Sequence, residues 1–338
     1  MKALLLARHG ELEDLRVVDD HPMPTARDGH VVIRVRASSF NHHDVFTVKG
    51  MPGIKVPLPV VIGLDMAGEI HEIGPGLDGS PQGWKVGSRV LVNPLNRKLG
   101  LMGEMLDGGM AEYCLVSADQ LIPMPDNVSF VDAAALPVAY GTAHRMLVTH
   151  QTVSRGEKVL VLGAAGGVGM ACVILAKKIG CEVIACASSE DKVARLKALG
   201  VDHAFNYKEV DWVKWVIEKF GKPQRRSHEG GVDCVVNFIG GDTWVPSLKC
   251  VRRGGKILVC GATAGYDPKE DLRYIWSFEL KVLGSNSYSD ENLSTLMRMV
   301  STDEIKPVVD KVLPLERAIE GLRLVQEREA IGKIVVSP

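Results

Sequence analysis

The 338-residue sequence predicts an α/β chain in which a doubly wound parallel sheet accompanies a second, mostly β part. Two stretches predict it. Residues 157–207, EKVLVLGAAGGVGMACVILAKKIGCEVIACASSEDKVARLKALGVDHAFNY, run as buried strand, glycine turn, helix at 3.6-residue spacing, strand, helix and strand. That alternation is the pattern of parallel strands joined by crossover helices. Residues 1–124 instead carry short alternating or wholly apolar runs (VVIRVRASS, PVVIGLDMAGEI, SRVLVNP, AEYCLVS), with turns such as GPGLDGSPQG between them. Size agrees, since this length at 46% hydrophobic content supplies two cores.

Taken in order, the apolar run ALLLA ends after five residues at Arg8, which suits a first strand. It is too short for a signal-peptide core or a membrane span. SFVDAAALPVAYGTAHRMLV reads as helical and opens the second half. After the 157–207 block, GVDCVVNFIG gives another strand, and a helix is expected around 243–252. GGKILVCG and FELKVLGSNSY give two more strands, ENLSTLMRMVST a helix and GKIVVSP the closing strand. KPQRRSHEGG reads as a solvated loop.

Net charge is −1, so no strong field recruits nucleic acid or an anionic membrane. The seven cysteines (Cys114, Cys172, Cys181, Cys186, Cys234, Cys250 and Cys260) form no C-x-x-C pair and lie mostly in apolar runs. They read as buried reduced thiols, which points to a cytoplasmic location.

GAAGGVG spans Gly163, Ala165, Gly166, Gly167, Val168 and Gly169, after the strand KVLVLG and at the start of a helix. In that context it predicts a dinucleotide cradle: glycines for the tight turn and close approach, and free N–H groups at the helix start for the pyrophosphate. An NAD site carries an acid at the end of the next strand. Here EVIACASSEDK ends in Ala187, Ser188 and Ser189, with Lys192 a turn later. Hydroxyls and an ammonium attract a 2′-phosphate that a carboxylate would repel, so NADP(H) is the expected cofactor.

SSFNHHDVF places His42, His43 and Asp44 side by side. Adjacent side chains diverge and chelate poorly, and zinc takes about four ligands in all.

At this point the chain resembles the medium-chain dehydrogenase/reductase superfamily, in its zinc-lacking quinone oxidoreductase and alcohol dehydrogenase-like branch. NHHDVFTVKG, PVVIGLDMAGEI, LDGGMAEYCLV, AAALPVAYGTAHRML, GAAGGVG, ASSEDKVARLKALGVDH, FNY and GKIVV carry the resemblance. It implies a GroES-like catalytic domain over 1–124, a Rossmann domain over 125–288, and a segment 289–338 that returns to the first. Zinc-bearing members carry C-H-x-D where this chain has Asn41, His42, His43 and Asp44. They carry G-H-E at Gly63, Leu64 and Asp65, and a cysteine near Ala134. The structural-zinc lobe is reduced here to VNPLNRKLG, without cysteine. The resemblance therefore implies no metal at either site.

By the same resemblance His42 approaches the cofactor pyrophosphate and Tyr207 the adenosine phosphate, while Asn41 and His43 face the nicotinamide. Phe46, Met66, Met110, Phe238 and Trp276 are expected to line an acceptor pocket between the domains. A homodimer through FELKVLGSNSY is also implied. Without a Lewis acid, a conjugated acceptor is the easier substrate, because charge left by hydride addition spreads into an enolate or aromatic oxyanion. The expectation is thus NADPH-dependent reduction of a quinone or an α,β-unsaturated carbonyl, with Asn41 and His43 as donors. A metal-free carbonyl reductase or alcohol dehydrogenase, and a non-catalytic NADPH-binding protein, are the alternatives.

Overall fold

The computed structural model describes residues 1–77 and 83–338. The turn expected over 74–83 falls partly on residues 78–82, outside the described residues. The chain divides into two compact units, Met1–Gly141 with Ser289–Pro338, and Thr142–Tyr288. The C-terminal segment thus belongs with the N-terminal one, and the first border falls at Gly141, later than the expected residue 124. The reason is packing. The helix Phe130–Ala134 lies against the strands His30–Ser39 and Asp65–Ile73 of the first unit. The Val138 N–H then donates to Asp65 Oδ1 at 3.0 Å.

In the second unit six strands form a parallel sheet in the order His203–Asn206, Glu182–Ala187, Lys158–Val161, Val232–Val236, Val251–Val259 and Lys281–Gly284. Runs such as KVLV and EVIACA are apolar and buried after their first, charged residue, because helices cover both faces of a doubly wound sheet. Leu160, Ile184, Val235 and Ile257 meet in its core. The helix Gly167–Ile179 follows the strand Lys158–Val161 and ends on Gly180, left-handed at φ 94°. The last strand is an exposed edge: all four residues of Lys281–Gly284 are accessible.

In the first unit His30–Ser39 is the central strand. It pairs antiparallel with Asp65–Ile73, Tyr113–Ser117 and the closing strand Lys333–Ser337. Ser39 stands opposite Asp65 on one side and Val335 on the other. This register brings the two ends of the chain to one place. A helix, His42–Lys49, follows directly, in a region whose sequence reads as mostly β. Asn41 caps it, and its N–H donates to Asp44 Oδ2 at 2.7 Å. All seven cysteines are free, six of them buried. Among the described residues no helix is long and apolar enough to cross a membrane.

Candidate functional site

The glycine turn of the second unit is built from steric necessity. Gly163 is left-handed at φ 61°, and a Cβ on Gly169 would meet the Gly163 carbonyl oxygen at 2.2 Å. Gly166 caps the helix without a side chain, and a Cβ there would find nothing nearer than 3.6 Å. The N–H groups of Gly167, Val168 and Gly169 open the helix without intrahelical acceptors. A phosphate fits such a place. Phe238 flanks the turn, its ring 3.4 Å from a Cβ built on Gly163.

At the end of the next strand, Ser188 and Ser189 precede the helix Glu190–Ala198. Lys192, only 8% exposed, points its Nζ back to the Ser188 hydroxyl at 3.5 Å. Tyr207 is joined to the same strand end by its N–H, 2.9 Å from the Ala187 carbonyl. Two serines, the Lys192 ammonium and the Tyr207 backbone thus meet at one strand end, and the hydroxyls and ammonium are donors suited to the 2′-phosphate of NADP(H).

In the first unit the centre of the polar cluster is Asp65, fully buried. Its Oδ2 accepts from Asn41 Nδ2 at 2.8 Å and Lys333 Nζ at 3.1 Å. The Ser39 hydroxyl lies 3.0 Å from the same oxygen and 2.8 Å from the Ala134 carbonyl. Lys333 spends its other hydrogens on Asn41 Oδ1 at 2.5 Å and the Phe40 carbonyl at 2.7 Å. Both ends of the Asn41 amide are therefore held. Next to them Asp44 is wholly buried, and burial pushes its carboxyl up to about 7.

The two histidines open the helix and differ. His42 packs edge-on against Phe46 at 5.0 Å, and burial lowers its pKa. His43 is 2.6 Å through Nε2 from Glu104 Oε2. Glu104 is 4% exposed and sits in a turn that crosses the chain at Gly63. A Cβ on Gly103 or on Gly108 would strike the Gly63 backbone, at 2.7 Å and 2.2 Å.

Asn41, His42, His43 and Phe46 therefore share one helix end. Met66 and Met110 lie in hydrophobic cores with no accessible surface. Trp276 is 65% exposed on the second unit. Glu104, Ser39 and Lys333 have no assigned part in the sequence-based reading, although Lys333 stands in the noted GKIVV.

Residues 27–126 match the alcohol dehydrogenase GroES-like domain, and residues 167–302 match the zinc-binding dehydrogenases. A crotonyl-CoA reductase of Streptomyces avermitilis is 30% identical, over 94% of this chain and 81% of its own length. The chain belongs to the medium-chain dehydrogenase/reductase superfamily. It is an oxidoreductase of that type. Among its other superfamily relatives, the quinone oxidoreductase of Sus scrofa is 26% identical over 99% of this chain and 97% of its own. The solved structure of an NAD-dependent alcohol dehydrogenase is 36% identical with a TM-score of 0.90, over 100% of both chains. A 2-octenoyl-CoA carboxylase reductase, solved in complex with NADP and 2-octenoyl-CoA, is 28% identical with a TM-score of 0.85, over 99% of this chain and 87% of that one.

Zinc is the group that the matched zinc-binding dehydrogenase family suggests, and the residues present do not fit it. By the resemblance, Asn41, Leu64 and a position near Ala134 take the places of ligands in zinc-bearing members, and the nearby carboxylate, Asp65, is already engaged by an ammonium. Among the described residues no group of three or more His, Cys, Asp or Glu side chains is placed to hold a metal ion.

Proposed function

We propose that the protein is a zinc-independent, NADPH-dependent reductase of a conjugated acceptor, a quinone or an α,β-unsaturated carbonyl compound. The observation that carries the reading is the capture of Asp65 and Asn41 by Lys333, which leaves the His43 imidazole as the donor beside the helix start. An acceptor that delocalises its own charge suits such a site. The relatives named for quinones and for enoyl-CoA compounds support the same class.

The glycine turn and the Ser188, Lys192 and Tyr207 corner would hold NADP(H). When bound, the nicotinamide supplies a hydride to the electron-poor carbon of the acceptor. His43 donates the proton that neutralises the resulting oxyanion or α-carbon. Asn41, immobilised at both ends of its amide, fixes the helix start from which His43 projects. Phe46 offers apolar surface beside the helix start of the first unit, and Phe238 does so beside the glycine turn of the second. The exposed strand Lys281–Gly284, with Val282 and Leu283 exposed within it and Trp276 exposed just before it, favours pairing with a second copy across a two-fold axis.

The test is oxidation of NADPH and of NADH with a quinone, an enone, an enoyl thioester and a saturated aldehyde. Faster turnover of the conjugated acceptors with NADPH is expected. Preference for the saturated aldehyde would replace this reading with a carbonyl reductase, and preference for NADH would replace the cofactor. Sedimentation of the intact protein at a single mass of two chains tests the dimer.

A further inference from the structure

The turn that delivers Glu104 to His43 has no role in the reading so far, and its construction is specific. Gly103 and Gly108 cross the backbone of Gly63 at distances no side chain tolerates. The N–H groups of Gly108, Gly109 and Met110 bond to the carbonyls of Val61, Gly63 and Ile62 at 2.8, 2.8 and 3.0 Å. Glu104 is thereby pinned, buried, with its Oε2 2.6 Å from His43 Nε2.

We propose that Glu104 is a positioning residue for the proton transfer: it binds His43 Nε2–H and so makes Nδ1 the nitrogen that exchanges a proton with the acceptor. The proposal rests on the function proposed above. Among the described residues, no protein group is bonded to Nδ1, and the imidazole is 29% exposed. With Nε2–H held by a carboxylate, the neutral ring carries its lone pair on Nδ1. Once protonated, Nδ1–H is the donor. In the reductive direction that proton passes to the oxyanion or α-carbon left by hydride addition, the electron pair of the broken N–H bond stays on Nδ1, and solvent reprotonates it. In the oxidative direction the same lone pair removes the proton.

His42 is an internal comparison. Both histidines are half-buried in the first turn of one helix, where burial alone lowers a histidine pKa. His42, facing Arg328 and Lys49, ends below its ordinary value. For His43 burial acts in the same sense, but the hydrogen bond and charge of Glu104, with Asp44 adding, carry it above. Glu104 and Asp44 are the charged groups facing His43, one from the turn and one from its own helix.

The experiment is ¹⁵N NMR of the imidazoles in the full-length protein across pH, for wild type, Glu104→Gln and His43→Gln. Profiles of kcat/KM with a conjugated acceptor are taken alongside. In the wild type, neutral His43 shows the Nε2–H tautomer. In Glu104→Gln its titration midpoint moves to lower pH, and the alkaline limb of kcat/KM moves with it. The KM for NADPH stays constant. His43→Gln removes that limb and costs on the order of 10²-fold in kcat/KM. An Nδ1–H tautomer in the wild type overturns the proposal without any variant. A shifted midpoint with an unmoved limb overturns it as well. If no conjugated acceptor turns over, the proposed function fails, while the tautomer and the midpoint still report on the pair.

Discussion

Lys333 Nζ donates to Asp65 Oδ2 at 3.1 Å, with the two side chains 2% and 0% exposed. The closing strand of the chain is thereby ionically joined to the strand that follows the glycine at Gly63. Removing one partner leaves the other charge buried and alone, which costs about 3–5 kcal/mol. Lys333→Met is expected to lose that much stability in urea unfolding. Lys333→Met with Asp65→Asn is expected to recover a large part of it. Equal losses in the single and double variants would mean that packing, and not the charge pair, holds this corner.

Asn41 accepts from Lys333 and donates to Asp65. Asn41→Ala leaves both partners short of a hydrogen bond, a cost of about 1–3 kcal/mol. The expected outcome is lower stability together with lower kcat, because His43 projects from the helix start that Asn41 caps. Measurement of kcat at a temperature where the variant is fully folded separates the two effects.

Asp44 makes a pH prediction whose sign is fixed. Burial raises its folded-state pKa to about 7 from the ordinary 3.8, so the folded protein holds this proton at pH values where the unfolded chain has lost it. Its contribution is therefore fully present below the unfolded pKa and is lost as pH rises through the window up to about 7. Asp44→Asn keeps an acceptor for the Asn41 N–H and carries no charge. Its stability relative to wild type is expected to grow between these limits and then level off, as read from denaturation at a series of pH values. A constant difference would show that the carboxylate is not desolvated.

Lys192 is expected to select the cofactor. A charge-assisted hydrogen bond contributes about 1.5–3 kcal/mol, equivalent to roughly 10- to 100-fold in affinity. Lys192→Ala should raise the Kd for NADPH by that factor and leave NADH nearly unchanged, as followed by nucleotide fluorescence. Equal weakening of both would place Lys192 away from the 2′-phosphate.

Much of the second unit was legible because its signals are local. The glycine turn, the two serines after the second strand and Lys192 lie within 30 residues of one another, and buried parallel strands advertise themselves as apolar runs. The first unit was harder. Glu104 meets His43 across 61 residues, and Lys333 meets Asn41 across 292, so no window on the sequence contains either pair. The helix His42–Lys49 was missed because its eight residues mix histidines, aspartate and β-branched residues without a sustained apolar stripe. The Asn41-x-x-Asp44 spacing was the available cue to its capped start. Met66 and Met110, expected at an acceptor pocket, have no accessible surface here, and an apolar residue beside a site looks the same in sequence whether it faces ligand or core.

The most direct test is the rate of NADPH oxidation by chelator-treated protein, with a quinone or an enone set against a saturated aldehyde of similar size. The account predicts that treatment leaves the rate unchanged and that the conjugated acceptors turn over faster. Loss of activity on chelation, restored by zinc, or faster turnover of the saturated aldehyde, would contradict it.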